Sequence, residues 1–358
     1  LKIIKNKARY SLMKLFIETL EARTVLSVVF FDKETKAAVA NAYKDKIISR
    51  DELVSIFRQT TDQNTITANE LSDLRKVTTL RMPEHVRYLA KDVVFANIAN
   101  AKFQGNTLGN LTANSPAQKI NNLIDKWFYG KDRPALPNNL SYKESKLPLF
   151  DNGATSTDVI QGQLGDCYLL ASLASVADKL GIRTSFIDNG DRTWTIRLYD
   201  LNGIRKVDYI TVDSYLPVDA NGSSIYANFD KELWVALIEK AYAQYNETGG
   251  TWHLEKSNSY QAIVGGYPVL ALESITGVPT KCNFFSDAMA QTTLNKSLYR
   301  GDAVVLSAPV KDKDVSHSYY VKSYLNGLYY LYNPWGFSHL EVTWDQLKTN
   351  INFVIEAK

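Results

Sequence analysis

One stretch constrains this chain more than any other: Gln161-Gly162-Gln163-Leu164-Gly165-Asp166-Cys167-Tyr168-Leu169-Leu170. A Gly-Asp turn gives way at Cys167 to an apolar helical run from Tyr168 to Leu180. A helix that opens on a cysteine turns unpaired N–H groups and the positive end of its dipole toward the sulfur. Both favour the thiolate, which is the nucleophilic form. Most free cysteines are small buried apolar residues, and on this segment alone the two readings are equally good. The partners elsewhere in the chain decide between them.

At 358 residues the chain exceeds what one hydrophobic core usually organises, so two or three domains are expected. A net charge of +3, with no basic stretch interleaved with aromatics, argues against nucleic acid as a partner. The two cysteines, Cys167 and Cys282, have no metal-ligand spacing, so a zinc site is not expected. A disulfide between them would silence the nucleophile; Cys282 is expected to be structural. No run of apolar residues is long enough for a spanning helix.

Residues 1–34 form a leader. Its stretch from Leu15 to Ser27 resembles a short N-terminal motif of large surface or secreted proteins of planctomycete bacteria, so a bacterial, surface or secreted protein is favoured; an amphipathic helix explains the stretch equally well. A working thiol prefers reducing surroundings, which keeps a cytoplasmic location open. Residues 35–128 read as a helical domain, with capping boxes at Ser49/Glu52 and Thr67/Glu70, a helix after Pro83 and another after Ser115-Pro116. Residues 129–149, with Pro134, Pro137 and Pro148, read as a linker or an extended wrapping segment. Beyond it, strands at 193–199 and 205–212 and helices at 231–245 and 287–299 give an α+β region.

Of the four histidines, His317 alone opens an alternating, strand-like segment. A second strand, Leu328 to Tyr332, ends in Asn333-Pro334-Trp335-Gly336, and Asn326-Gly327 between the two signals a hairpin. An Asn333 carbonyl can hold the imidazole of His317 only if both lie on one sheet face. A two-residue loop pairs Leu325 with Leu328 and puts them on opposite faces. A three-residue loop, or an equivalent bulge, restores a common face, with His317 opposite Trp335 and Asn333 one step away diagonally. That loop or bulge is therefore predicted. A neutral asparagine suffices to orient an already ionised Cys–His pair, and Trp335 would cover the bond. Gln161 could aim its amide at a developing oxyanion beside the Cys167 N–H, a contribution typically worth about 3 kcal/mol. A lone His317 is better explained as structural; the set Gln161, Cys167, His317, Asn333 and Trp335 is not.

The block from Asp151 to Ser175 closely resembles the active-site block of calpains, Glu232 to Ala243 resembles the calpain helix that follows, and Asn333-Pro334-Trp335-Gly336 is similar to the calpain asparagine motif. The resemblance covers roughly residues 138 to 358. It implies a papain-like cysteine protease core of two subdomains, 150–250 with Gln161 and Cys167, and 251–358 with His317 and Asn333. It also implies an endopeptidase acting on protein or peptide substrates, and Ca²⁺ held by the carboxylates of Asp158 and Glu232 with the carbonyls of Asp151 and Gly153, a hard-oxygen set suited to that ion. Tyr168 stands where calpains usually have tryptophan, and the acidic loop expected after Gly336 is much shortened, which leaves a second calcium site doubtful. Gly249-Gly250 and Gly265-Gly266 could let a peptide backbone approach closely. Two other functions compete with the peptidase: a catalytically silent peptide-binding module on the same fold, and a surface interaction protein anchored through its helical region.

Overall fold

A computed structural model describes residues 28–59, 64–201, 206–283, 290–309, 316–350 and 353–357. The Leu15–Ser27 motif and the first residues of the 287–299 helix lie outside them. The chain forms two compact units. One comprises the described residues up to Ala96 with Leu108–Ile124; the other comprises Asn97–Thr107 and the chain from Asp125 onward.

The first unit is helical: α1 (Lys33–Ala42), α2 (Arg50–Gln59), α3 (Ala68–Val77), α4 (Glu84–Val94) and the greater part of α5 (Ala117–Trp127). Both expected capping boxes form. Thr67 accepts from the Glu70 N–H while Glu70 accepts from the Thr67 N–H, and Ser49 and Glu52 make the same exchange. Each box satisfies two N–H groups that a helix start leaves unpaired. Leu53, Phe57, Leu74, Val77, Val86, Leu89, Val93, Ile120 and Leu123 are buried at helical spacing.

The second unit begins with a small hairpin, β1 (Lys102–Phe103) and β2 (Asn106–Thr107). Residues 129–149 are part of this unit. Within them β3 (Ser141–Glu144) pairs antiparallel with β7 (Tyr215–Val218), and Arg133 binds Asp213 at 2.6 Å. Lys240 donates to the same Asp213 side chain and to the carbonyl of Tyr215, so one carboxylate ties this segment to the helix behind it. The nucleophile candidate opens α6 (Cys167–Lys179). After it come a three-stranded antiparallel sheet, β4 (Phe186–Asp188), β5 (Thr193–Tyr199) and β6 (Val207–Asp213), and the fully buried α7 (Trp234–Glu247).

The remainder is α8 (Pro268–Thr276), β8 (Thr280–Asn283), α9 (Ala290–Arg300), β9 (Ala303–Pro309), β10 (Ser316–Leu325), β11 (Leu328–Tyr332), β12 (Leu340–Val342), α10 (Trp344–Asn350) and β13 (Phe353–Ala357). The strands form one antiparallel sheet in the order β12-β11-β10-β9-β13-β8. Leu294, Val304, Leu306, Tyr319, Val321, Tyr329, Leu331 and Leu347 make a core on one side of it, and α6 packs against β10 and β9. Cys282, expected to be structural, is free and exposed on the outer strand β8, with no side chain packed over it among the described residues.

The hairpin between β10 and β11 resolves the register question. Its loop has two residues, Asn326 (φ 52°) and Gly327 (φ 83°), the left-handed pair of a type I′ turn. Leu325 faces Leu328, Tyr324 faces Tyr329 and Ser323 faces Tyr330; then the register slips, and Val321 faces Leu331 and Tyr320 faces Tyr332. Lys322 is the extra residue, a β-bulge. Past it the pairing equals that of a three-residue loop. The bulge, rather than a three-residue loop, restores the common face.

Candidate active site

The turn before Cys167 is locked from three sides. The Gln161 N–H donates to the Pro334 carbonyl at 2.7 Å, the Gln163 N–H to the Ile225 carbonyl at 2.8 Å, and the Gly265 N–H to the Gly165 carbonyl at 2.8 Å. At Gly162 an added Cβ would lie 2.2 Å from the Tyr226 carbonyl oxygen and 2.4 Å from that of Ile225, so only glycine fits. Asp166 caps α6 from non-helical backbone, its carbonyl accepting from the Leu169 N–H. Cys167 emerges half-buried at the first helical position.

The imidazole of His317 donates from Nε2 to Asn333 Oδ1 at 2.9 Å. The same oxygen accepts from the Trp335 N–H at 3.0 Å, and Asn333 Nδ2 donates to the Ser338 carbonyl at 3.4 Å. The Trp335 N–H can only donate, and the other amide atom faces a carbonyl, so the atom that meets His317 is the amide oxygen. It follows that neutral His317 carries its proton on Nε2 and presents Nδ1 as a base. The Trp335 ring lies 4.4 Å from the His317 ring, and Tyr319 meets that ring edge-on at 4.9 Å. His317 and Asn333 are 4% and 1% exposed, so this bond is dry.

Burial pushes the Cys167 thiol up. The backbone N–H and hydroxyl of Ser318 and the Tyr168 N–H pull it down, and the Asp166 charge pushes it up again. Burial pulls His317 down and the Asn333 bond lifts it. Ser318, the residue after His317, thus brings β10 to the sulfur, while the two groups favour their neutral forms.

Gln161 sits at this site with its amide engaged. Nε2 donates to the Leu164 carbonyl at 2.6 Å and to Asp166 Oδ1 at 3.4 Å. Asp166 in turn faces Glu239 of α7, whose carboxyl accepts from the Ala227 N–H. Tyr168 is buried beneath the loop that follows: its hydroxyl donates to the Ile263 carbonyl at 2.9 Å and meets His253 Nε2 at 3.2 Å. His253 Nε2 also reaches the Gly265 carbonyl at 3.0 Å. An added Cβ on Gly266 would strike the Tyr168 ring at 2.5 Å. The Gly265–Gly266 pair therefore lies against the Cys167 helix. Gly249 ends α7, and Gly250 is buried against the Tyr245 ring, where an added Cβ would come within 2.0 Å.

The segment carrying Asp158 is fastened to the His317 sheet. The Tyr332 hydroxyl donates to the Val159 carbonyl at 3.1 Å, and bulged Lys322 donates to Ser156 Oγ at 3.3 Å and pairs with Asp178 at 3.7 Å. Asp158 Oδ2 accepts from the Thr155 N–H at 2.6 Å; Glu232 accepts from the Asp151 N–H at 2.6 Å and the Trp234 indole at 3.2 Å. Glu232 is pushed up to about 7 by burial and then by Asp158 beside it. Among the described residues no three His, Cys, Asp or Glu side chains converge as a metal cluster. Two facing acids plus backbone carbonyls are what Asp151, Gly153, Asp158 and Glu232 offer.

The calpain family cysteine protease model matches residues 135–350. This chain belongs to the calpain family. The calpain core is similar to the calpain-type cysteine protease DEK1 of Zea mays, at 32% identity over 134 residues, 36% of this chain and 6% of the relative. It is similar to calpain-8 of Rattus norvegicus at 34% over 131 residues, 35% of this chain and 17% of the relative. The calpain-1 catalytic subunit of Bos taurus gives 34% over 176 residues, 41% of this chain and 23% of the relative. The chain thus spans less than a quarter of the length of each of these calpains.

Several residues of this candidate site were not singled out from the sequence. Ser318 carries no motif signal, and Glu239, although it lies in the Glu232–Ala243 stretch, stands out only once that helix is seen to be buried on all sides. His339, set aside as a loop residue, accepts from the Asn333 N–H at 3.1 Å through Nδ1 and stacks on Tyr332 at 4.5 Å.

Proposed function

We propose that this calpain-family chain is a cysteine endopeptidase with Cys167 as nucleophile, His317 as acid–base and Asn333 as the group that orients His317. The observation that carries this reading is the fixed tautomer of His317: Asn333 takes Nε2–H, leaving Nδ1 for the thiol. Ser318 beside the sulfur supports the same pairing.

In the reaction the thiol proton passes to His317 Nδ1. The thiolate adds to the scissile carbonyl carbon, and the carbonyl π electrons move to oxygen. The Cys167 N–H and the Gln161 amide receive that charge, and the 3.4 Å bond to Asp166 is the one Gln161 gives up most cheaply. Collapse breaks the C–N bond, and the amine leaves with the proton from Nδ1. Water, deprotonated by Nδ1, then adds to the thioester, and the C–S bond breaks to return the thiolate.

Calcium fits the Asp158 and Glu232 carboxylates. Asp158 and Glu232 repel one another in a half-buried site, and the carbonyls of Asp151 and Gly153 would complete an oxygen shell. Bound there, the ion would neutralise those two carboxylates. The strap from Thr155 to Gln161 leads from Asp158 to the Gln161 turn, and its bonds to Tyr332, Lys322 and Pro334 couple it to the sheet that holds His317.

Turnover of casein or a fluorogenic peptide, with calcium and with chelator, tests the reading beside Cys167→Ala. Activity lost in Cys167→Ala is expected. Equal turnover in both proteins would remove the peptidase assignment, and peptide binding without turnover would leave a silent binding module. Equal activity in calcium and chelator would remove the calcium requirement alone.

A further inference from the structure

Directly behind the nucleophile lie two acids with no role in that mechanism. Asp166 is fully buried and Glu239 is 1% exposed. Their carboxyls face one another, and Glu239 also takes the Ala227 N–H through both oxygens, at 3.1 and 3.2 Å. The titratable neighbours are Cys167 and Tyr168 on α6, Tyr226 on the preceding loop, and Tyr260 before the 261–263 turn. None of them is a cation. Two buried carboxylates with no counter-ion among the described residues cannot both ionise, so such a pair keeps one proton between them. Asp166 accepts from Gln161 Nε2 through Oδ1, and among the described residues its buried Oδ2 meets no donor but the Glu239 carboxyl that faces it. The proton therefore belongs on Glu239 and the charge on Asp166.

We propose that Asp166 and Glu239 are positioning residues: a one-proton carboxyl pair that holds the Gln161 amide beside the nucleophile and sets one negative charge under Cys167. The inference rests on the cysteine-peptidase reading for its catalytic consequence, but not for its charge arrangement. The long bond from Asp166 keeps one Gln161 N–H ready without trapping it, while the shorter bond to Leu164 fixes the amide plane. The charge under the sulfur opposes the α6 dipole and the Ser318 donors, which restrains the thiol until substrate and His317 are in place.

The test uses the full chain and two readouts, the rate of Cys167 alkylation by iodoacetamide against pH and the steady-state parameters on a peptide. Asp166→Asn removes the charge, and alkylation at pH 7 is expected to rise roughly fivefold. Glu239→Gln still donates to Asp166 and leaves its charge, so alkylation at pH 7 is expected to stay within about twofold of wild type. A merely structural pair would move both variants alike, and that result overturns the charge assignment. On the peptide, Glu239→Leu is expected to lower kcat about tenfold with KM little changed, and Glu239→Gln to recover most of it. Asp166→Asn and Gln161→Ala should be non-additive in kcat; independent, multiplying losses overturn the positioning role. Should no variant turn over peptide while the two alkylation rates still diverge, the peptidase reading fails and the charge arrangement stands.

Discussion

Asn333 Oδ1 lies 2.9 Å from His317 Nε2, whose ring packs on Trp335, and its own orientation is fixed by a second donor, the Trp335 N–H. An amide held in this way does not rotate to suit the imidazole; the imidazole must suit it. Replacing Asn333 with alanine frees both the tautomer and the ring plane. We expect kcat to fall roughly 10–100-fold with KM nearly unchanged. Initial-rate measurements would check this, and an equal rise in KM would instead mark a binding defect.

Cys167 alkylation without calcium or substrate gives a pH test of the free site. Burial raises the thiol above its ordinary value, so at any given pH less thiolate is present than in a free cysteine. The alkylation rate should keep climbing through pH 8. A plateau already reached near pH 6 would mean a preformed ion pair with His317, contrary to this arrangement.

Burial pushes up both carboxyls of the pair, Asp166 to about 7 and Glu239 well above its usual range. The unfolded chain releases these protons near pH 4, so between roughly pH 4 and 7 the folded pair holds at least its shared proton while the unfolded chain holds none. This contribution to stability therefore falls as pH rises through that window. Asp166→Asn combined with Glu239→Gln removes it. Across this window the Tm of the double variant should improve relative to wild type as pH rises; a constant difference would contradict the shared-proton pair.

Calcium at a hundred times its dissociation constant should stabilise the chain by about 2.7 kcal/mol. Asp158→Asn with Glu232→Gln should abolish the Tm increase while leaving the chelator-treated Tm within a few degrees. A calcium-induced shift that survives both substitutions would assign the ion elsewhere.

Gly162→Ala would push a methyl into two carbonyl oxygens of the 225–226 segment. Overpacking of this kind costs about 1–3 kcal/mol. Because the displaced turn carries Gln161 and Cys167, peptide turnover should fall by more than stability alone explains. Thermal melts and rates on the same preparation would separate the two effects.

Much of this site is legible from sequence because its signals are local. Gly-Asp-Cys before an apolar run announces a helix N-terminus. Asn-Gly announces a hairpin, and parity then demands a register correction to bring His317 and Asn333 to one face. What parity cannot tell is where the correction sits, since a longer loop and a bulge serve the alternation equally; the bulge at Lys322 is chosen by contacts to Ser156 and Asp178 far away in the chain. The same limit hid Glu239 and Ser318. Their importance comes from what α7 and β10 are packed against, and no spacing in one strand or helix encodes a neighbour some 70 or 150 residues distant. Gly250 shows the converse: a glycine that looks open to a ligand is filled by Tyr245 of the helix before it, while its neighbour Gly249 stays open.

The Lys322 bulge has an engineering consequence. By absorbing one residue of register midway along β10, it insulates the sulfur–imidazole chemistry from whatever happens at the hairpin tip. Peptides could be grafted between Asn326 and Gly327 as reporters or affinity handles without disturbing His317, whereas deleting the single residue Lys322 would turn that ring to the wrong side of the sheet.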